Sequence, residues 1–136
     1  GPNEVWSYGA EVEAALARLL RLRERLRPYL EAAFAHHART GDPVVAPLLL
    51  HFPGDPSLHD EGRAYMLGPD LLVAPVLAPG LSEMDVRLPG DEPWVHVWTG
   101  ATHGGGATAR VPCPWGEPPV FARASAAPAL VPLFRP

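Results

Sequence analysis

The sequence predicts a mixed fold of α and β elements in two parts, residues 1–60 and residues 61–136. Apolar residues recur at steps of three and four between residues 9 and 39, which indicates one long amphipathic helix. A short, wholly apolar run follows at residues 44–50. Beyond Phe52, Pro and Gly become frequent, and short strand candidates alternate with turn signals, as in an all-β sandwich.

The predicted helix has one apolar stripe and a clear C-terminal signal. Pro28 should kink the helix, because its ring clashes with the carbonyl group four residues back. Gly41 should end it, with Thr40 before it and Pro43 just beyond. The stripe consists of Val12, Leu16, Leu19, Leu22, Leu26, Leu30, Ala33, Phe34 and His37.

Two apolar runs predict strands that are covered on both faces. Val44 to Leu50 is β-branched at its start and lacks polar alternation, as expected of a buried parallel strand. Gly68 to Val76, GPDLLVAPV, joins a Gly-Pro turn to a second such run. Because Pro75 cannot donate a ladder hydrogen bond, this strand should have an edge or a bulge there.

The second part contains further strand candidates, and the boundary between the parts should fall near residues 60–63. Each candidate is short and is bounded by turn residues. They are Ala64–Leu67, Leu71–Leu77, Met84–Leu88, Trp94–Trp98, Ala107–Val111, Val120–Ala124 and Ala129–Phe134.

The composition and the positions of Cys, His and Gly indicate which partners and cofactors are not expected. The chain is 47% hydrophobic and 19% charged with a formal net charge of −4, so neither nucleic acid nor a membrane is an expected partner. Cys113 is the single cysteine, and His36 and His37 are adjacent on the helix and point in different directions, so we expect no metal site. The glycines at 104–106 lack a strand-to-helix context, and no cofactor is predicted.

The arginines of the predicted helix allow two interpretations. All 11 basic residues of the chain are arginines, and five of them, at positions 18, 21, 23, 25 and 27, lie on this helix. They could form an anion-binding face. We prefer a solvated, ion-paired face, because Glu11, Glu13, Glu24 and Glu31 are interspersed with them.

Seven blocks, in order over nearly all of the chain, resemble the C-terminal part of glycoside hydrolase family 31, the α-glucosidase and α-xylosidase family. The resemblance rests on the order and spacing of these blocks rather than on any one of them. The blocks are NEVWSYG (3–9), LRPYLEAAF (26–34), TGDPVVAPLL (40–49), FPGDP (52–56), YMLGPDLLVAPVLAPG (65–80), VWTG (97–100) and PPVFARASA (118–126).

The resemblance implies that residues 1–60 are the end of a (β/α)8 catalytic barrel, with its last helix and strand, and that residues 61–136 are the β-sandwich that follows. Such a barrel needs about 250 residues, more than the 136 of this chain. The opening Gly1-Pro2-Asn3 has no initiator Met, so we expect a start inside a larger protein. Tight association with the rest of the barrel, a second copy or another chain is then expected, because the helix and the first strand expose apolar surface.

The resemblance further implies a retaining glycosidase that acts on an α-linked oligosaccharide or glycoside. Retention uses two carboxyl groups about 5 to 5.5 Å apart, and by resemblance both are aspartates upstream of Gly1. We therefore expect no catalytic residue in this chain and no hydrolase activity from it alone. Its own carboxylates that neighbour Gly, Pro or Asn should form turns and caps instead; they are Glu4, Asp42, Asp55, Asp60, Glu61 and Asp70.

Aromatic residues are the remaining candidates for sugar contact. Trp6 and Glu4 lie in a loop that matches the active-site side of the family barrel, so they are candidate substrate-binding residues; Trp6 could instead pack at the start of the helix. Strand alternation places Trp94, His96 and Trp98 on one face. If the tryptophans of the second part, including Trp115, were exposed, the chain could instead be a non-catalytic carbohydrate-binding or interface module.

Overall fold

In the computed structural model of the chain, residues 9–59 and 63–136 are described. A long helix opens the described chain, seven consecutive short strands make up most of its second half, and a short helix ends it, so the fold is mixed α and β. In chain order they are α1 (Ala10–Thr40), β1 (Val45–Pro47), α2 (Leu48–His51), a 3-10 turn (Pro56–Leu58), β2 (Tyr65–Leu67), β3 (Leu71–Val73), β4 (Glu83–Arg87), β5 (Trp94–His96), β6 (Thr102–His103), β7 (Thr108–Pro112), β8 (Val120–Arg123) and α3 (Ala127–Phe134).

The long helix α1 has the bounds that its apolar periodicity predicts. It contains Pro28 and ends at Gly41, which has a φ of 81° and donates its N–H to the carbonyl of His37. A positive φ is readily adopted by Gly, which has no Cβ, so the predicted C-terminal signal is confirmed. Leu26 and its neighbours on the stripe pack against α3 and one face of the sheet.

The ion-paired face predicted for α1 is only partly present. Arg27 lies 2.6 Å from Glu24, and an exposed pair of this kind contributes little to stability. The Nε of Arg25 donates to the carbonyl of Leu133 in α3. Within residues 9–59 and 63–136, Arg18, Arg21 and Arg23 form no ion pair.

Six strands form one antiparallel sheet in the order β1-β2-β3-β8-β5-β6, and β4 and β7 form a second, two-stranded sheet. Adjacent residues of β3 point to opposite faces of the larger sheet: Leu72 packs towards β4 and β7, whereas Leu71 packs towards α1 and α3. The larger sheet is therefore covered by the smaller sheet on one side and by helices on the other. This explains why GPDLLVAPV shows no polar alternation.

The prediction that residues 44–50 form a parallel barrel strand is wrong. Only Val45–Pro47 is extended, it pairs antiparallel with β2, and residues 48–51 form a helical turn. An apolar run indicates that a segment is buried but not which strand it pairs with. Because β1 is an edge strand of the sheet, Pro47 is tolerated in it. The predicted division after residue 60 falls between β1 and β2, which are hydrogen-bonded neighbours.

Two other strand predictions are corrected. Residues 129–134, predicted as a strand, lie in helix α3, where Pro128 occupies the first turn that accepts proline. The strand predicted over residues 71–77 ends at Val73, two residues before Pro75, as expected because Pro cannot take part in the ladder.

His96 is the buried polar side chain of the described core, with 1% of its surface exposed. Its Nδ1 lies 2.8 Å from the Thr99 hydroxyl and 3.3 Å from the Thr99 backbone nitrogen. The ring packs edge-on against Phe121, with centroids 5.3 Å apart. Burial, and to a lesser degree the nearby His103, lowers the pKa of His96 from its ordinary value of 6.5.

The free energy of unfolding should therefore fall as the pH drops below about 6.5. In that range the unfolded chain binds a proton at His96 that the folded chain excludes, so acid favours unfolding. Half-buried His51, whose pKa is lowered mainly by burial and also by Arg123, acts in the same direction. Urea denaturation at pH 7.5 and pH 5.5 should show a smaller pH effect in a His96→Phe variant and also in a His51→Gln variant. A pH effect that is unchanged in His96→Phe would contradict the assignment to His96.

Candidate functional site

The predicted substrate-binding residues Trp6 and Glu4 lie outside the described residues, and so do Asp60 and Glu61. The other carboxylates singled out from the sequence have structural partners. Asp42 Oδ2 lies 2.9 Å from His36 Nε2. Asp55 accepts hydrogen bonds from the backbone N–H of Ser57 at 3.0 Å and from its hydroxyl at 2.6 Å, which lower the pKa of this exposed carboxyl. Its predicted role as a turn-former is confirmed.

The three tryptophans of the second part have different environments. Trp94 is fully buried and its Nε1 donates to Pro89 O at 3.0 Å. Trp98 is half-buried, donates to Pro118 O at 2.8 Å and contacts the ring of Phe134 edge-on. Trp115 is 62% exposed. The candidate carbohydrate platform is thus reduced to Trp115.

Hydrogen bonds connect α1 to the turn at residues 68–70, between β2 and β3. The Tyr29 hydroxyl donates to Leu67 O at 2.6 Å and accepts the backbone N–H of Asp70 at 3.0 Å. Burial raises the pKa of Tyr29 to about 12. Gly68 has a φ of 66°, and a Cβ at this position would lie 2.6 Å from the Tyr29 oxygen. Close approach and backbone conformation both require glycine here.

Arg123 links this turn to the core. Its Nε donates to Pro69 O at 2.8 Å, and its guanidinium carbon lies 4.8 Å from the ring centroid of Phe52 and 5.3 Å from that of Trp94. Strand β8, which pairs with β3, thus supplies a cation that lies over both aromatic rings, whose centroids are 6.0 Å apart.

The carboxylates of Asp70 and Glu92 flank Arg123. One oxygen of each lies 3.8 Å from a guanidinium nitrogen. This separation is longer than a hydrogen bond. Burial therefore outweighs the attraction of Arg123 at Asp70 and raises the pKa of that carboxyl. The pKa of Glu92 is lowered, mainly by a hydrogen bond with the Ser125 side chain and then by the backbone N–H of Ser125, which donates to Glu92 at 2.8 Å. Arg123, Asp70 and Glu92 thus form an ion cluster. It connects the turn at residues 68–70 to β8 and to Ser125, which follows β8.

Beside this cluster lies a cleft of about 520 Å³ between the second half of α1 and the turn. Its walls are mainly apolar, and its polar side chains are Tyr29, His36, Asp42, His51 and Asp70. Within residues 9–59 and 63–136, no group of three or more His, Cys, Asp or Glu side chains could hold a metal ion. Nor is any helix in the described part of the chain long and apolar enough to span a membrane.

The sequence did not identify Arg123 and Glu92 as members of the ion cluster, nor Tyr29 as the residue that binds the turn at residues 68–70. Tyr29 and Arg123 do occur in two of the blocks that carry the family resemblance, LRPYLEAAF and PPVFARASA. Membership in those blocks could have marked the two residues as important, but it does not show which residues they contact. The hydrogen bond from Asp70 to Tyr29 spans 41 positions of the chain, and that from Arg123 to Pro69 spans 54.

Seven of the nine large apolar side chains that are exposed in the described residues line two grooves. One is the groove between α1 and the edge strand β1, with a volume of about 680 Å³, where Leu19, Phe34 and Val45 are 41%, 59% and 58% exposed. The other is a groove of about 850 Å³ that contains Trp115. We call the first the α1 groove and the second the Trp115 groove.

Known proteins resemble the chain over most of its length. The sulfoquinovosidase of Agrobacterium fabrum is 42% identical over 113 residues, which cover 83% of this chain and 17% of that protein. Alpha-xylosidase A of Aspergillus niger is 35% identical over 133 residues, covering 88% and 18%. The crystal structure of a family 31 α-xylosidase from a soil metagenome, complexed with xylose, superimposes with a TM-score of 0.90 at 40% identity, covering 98% of this chain and 19% of that one.

The chain thus spans less than a fifth of the length of these relatives. The family model of the glycosyl hydrolase family 31 C-terminal domain matches residues 41–127, the segment that contains both sheets and the ion cluster. On this match and on its relatives, the chain belongs to glycoside hydrolase family 31, of which it carries the C-terminal domain.

Proposed function

We propose that this chain is the C-terminal segment of a retaining α-glycoside hydrolase whose two catalytic aspartates lie upstream. The observation that carries the proposal is the superposition of 98% of the chain on 19% of an α-xylosidase. In the described residues the carboxylates singled out from the sequence cap turns or join ion pairs, which agrees with a supporting role. The contribution of this segment to catalysis is therefore indirect.

In this arrangement α1 is the last helix of the catalytic barrel, and the sheets from Val45 onward form the sandwich that supports it. The α1 groove is the surface that meets the rest of the barrel. Three large apolar side chains there are each more than 40% exposed, and a surface of that kind is typical of an interaction site. Tyr29 and the ion cluster then fix the angle between barrel and sandwich.

The substrate class of the complete enzyme is a terminal α-glycoside. The named relatives include a sulfoquinovosidase at 42% identity and an α-xylosidase at 35%. Both an α-sulfoquinovoside and an α-xyloside are therefore substrates to test, together with an α-glucoside. Trp6 and Glu4 are proposed to border the sugar pocket of that enzyme.

The test is hydrolysis of chromogenic α-glucoside, α-xyloside and α-sulfoquinovoside by the full-length protein and by the 136-residue chain. We expect turnover of at least one substrate by the full-length protein, with the product released first as the α-anomer, and no turnover by the chain alone. Proton NMR distinguishes the anomers. Turnover by the 136-residue chain would contradict the upstream placement of the catalytic pair, and β-anomer product would contradict retention.

A further inference from the structure

A cleft of about 400 Å³ lies between the first half of α1 and the end of α3, and four arginines line it. Three of them, Arg18, Arg21 and Arg25, belong to α1, and Arg135 directly follows α3. Positions 18, 21 and 25 are three and four residues apart, so they share one face of the helix. We call this place the arginine cleft. Its volume is within the range of small-molecule sites, about 300 to 1,000 Å³.

The positive charge of the arginine cleft is not balanced by neighbouring carboxylates. None of its four arginines forms an ion pair in the described part of the chain. Among the described residues that line the cleft, Glu117 supplies the one carboxylate side chain. With the carboxylate of Pro136 counted as well, the cleft still has an excess of two positive charges. Like charges that lie together repel each other, and a bound anion removes this repulsion.

Contacts within the chain hold two of the guanidinium groups in place. The Nε of Arg25 donates to Leu133 O at 2.6 Å, and this bond does not use the terminal nitrogens of the group. The guanidinium group of Arg135 lies against Gly100, whose φ is 78° and where an added Cβ would collide with it. Gly100 therefore leaves the space that this group occupies. A partly preformed site loses less side-chain entropy when a ligand binds.

An apolar wall lies beside the charged groups. Trp98 and Phe134 line the cleft, and their rings meet edge-on with centroids 5.3 Å apart. The indole N–H of Trp98 donates to Pro118 O at 2.8 Å, which fixes the ring. Small-molecule sites commonly combine such apolar and aromatic walls with a few charged groups that fix the orientation of the ligand. The cleft therefore suits an anion that carries a carbon body.

The guanidinium group binds oxyanions through two parallel hydrogen bonds, and phosphate is one of its preferred partners. A phosphate monoester has a charge of about −1.5 to −2 at pH 7 and three terminal oxygens. This charge matches the excess in the cleft better than the single charge of a carboxylate does. We propose that the arginine cleft binds a small organic phosphate, with the phosphate among the guanidinium groups and the carbon body against Trp98. The ligand connects α1 to the segment after α3.

The test is isothermal titration calorimetry of the full-length protein with glucose 6-phosphate as the probe, compared with inorganic phosphate and with glucose. We expect glucose 6-phosphate to bind more tightly than either. Absence of binding by glucose 6-phosphate would overturn the inference. Equal affinity for inorganic phosphate would overturn the contact with the carbon body, and equal affinity for glucose would overturn recognition of the phosphate.

A pair of variants locates the bound probe. Arg21→Gln should raise the Kd for glucose 6-phosphate about tenfold, because a hydrogen bond to a charged group is lost. Arg39→Gln is the control, since it removes the same charge from an exposed position of α1 outside the cleft. Arg39 lies about 27 Å further along the helix, beyond a Debye length of about 8 Å, so the Kd should stay unchanged. Equal Kd values in the two variants would place the probe elsewhere and overturn the inference.

Stability provides a second measurement that does not depend on calorimetry. A ligand that binds only the folded state raises the urea midpoint, so glucose 6-phosphate should raise it in the unchanged protein and much less in Arg21→Gln. Arg21 is exposed and forms no ion pair in the described residues, so the variant should fold. Hydrolysis of α-glycosides without phosphate binding refutes only this inference, whereas phosphate binding without hydrolysis refutes only the proposed function.

Discussion

Replacing Gly68 by Ala should lower the free energy of unfolding by about 3 kcal/mol. The left-handed φ of 66° costs a non-glycine residue about 1 to 2 kcal/mol. The new Cβ would also lie 2.6 Å from the Tyr29 oxygen, so Tyr29 must move. That movement weakens its hydrogen bonds to Leu67 and Asp70, each of which contributes about 1 kcal/mol. The measurement is urea denaturation followed by tryptophan fluorescence.

The matched control for this prediction is Gly41→Ala. Gly41 also has a positive φ, 81°, but a Cβ added there would meet no atom within 4 Å, so the expected loss is only the backbone cost of about 1 to 2 kcal/mol. Adding Tyr29→Phe to Gly68→Ala removes the nearest atom. The two changes should therefore couple by at least about 0.5 kcal/mol. Equal losses at Gly68 and Gly41, or simple additivity with Tyr29→Phe, would contradict the proposed close contact.

Arg123→Met should lower the free energy of unfolding by about 3 kcal/mol. The variant loses the charged hydrogen bond to Pro69 O, and it loses two cation–ring contacts, with Phe52 and Trp94. It also leaves Asp70 without its neighbouring cation, and that side chain is only 32% exposed. The same urea denaturation measures this loss.

Arg110→Met is the control for the change of charge and shape. Arg110 joins Glu83 and Asp85, but all three side chains are at least 57% exposed, so the change should lower the free energy of unfolding far less than Arg123→Met does. If both methionine variants lost the same stability, the assignment of Arg123 to the ion cluster as a stabilising centre would be wrong.

The candidate site was less predictable than the elements around it. Asp55 and Asp70 could be assigned to turns, because their neighbours Gly and Pro restrict the backbone locally. The partners of Asp70 could not, since Tyr29 and Arg123 reach it from distant parts of the chain. Strand alternation predicted that Trp94 and Trp98 lie on the same face of one strand. Trp94 is buried in β5, but Trp98 lies beyond the end of that strand, where the alternation no longer applies.

By itself the sequence determined the long helix and its end at Gly41, most of the short strands, and the family. These follow from local periods and turn residues, and from the order of seven blocks along the chain. Only the tertiary structure decided that β1 pairs antiparallel with β2, that residues 127–134 are helical, and that Arg123 lies over the rings of Phe52 and Trp94. The physical reason is that an apolar run shows only that a segment is buried, whereas its partner is selected by packing between residues far apart in the chain.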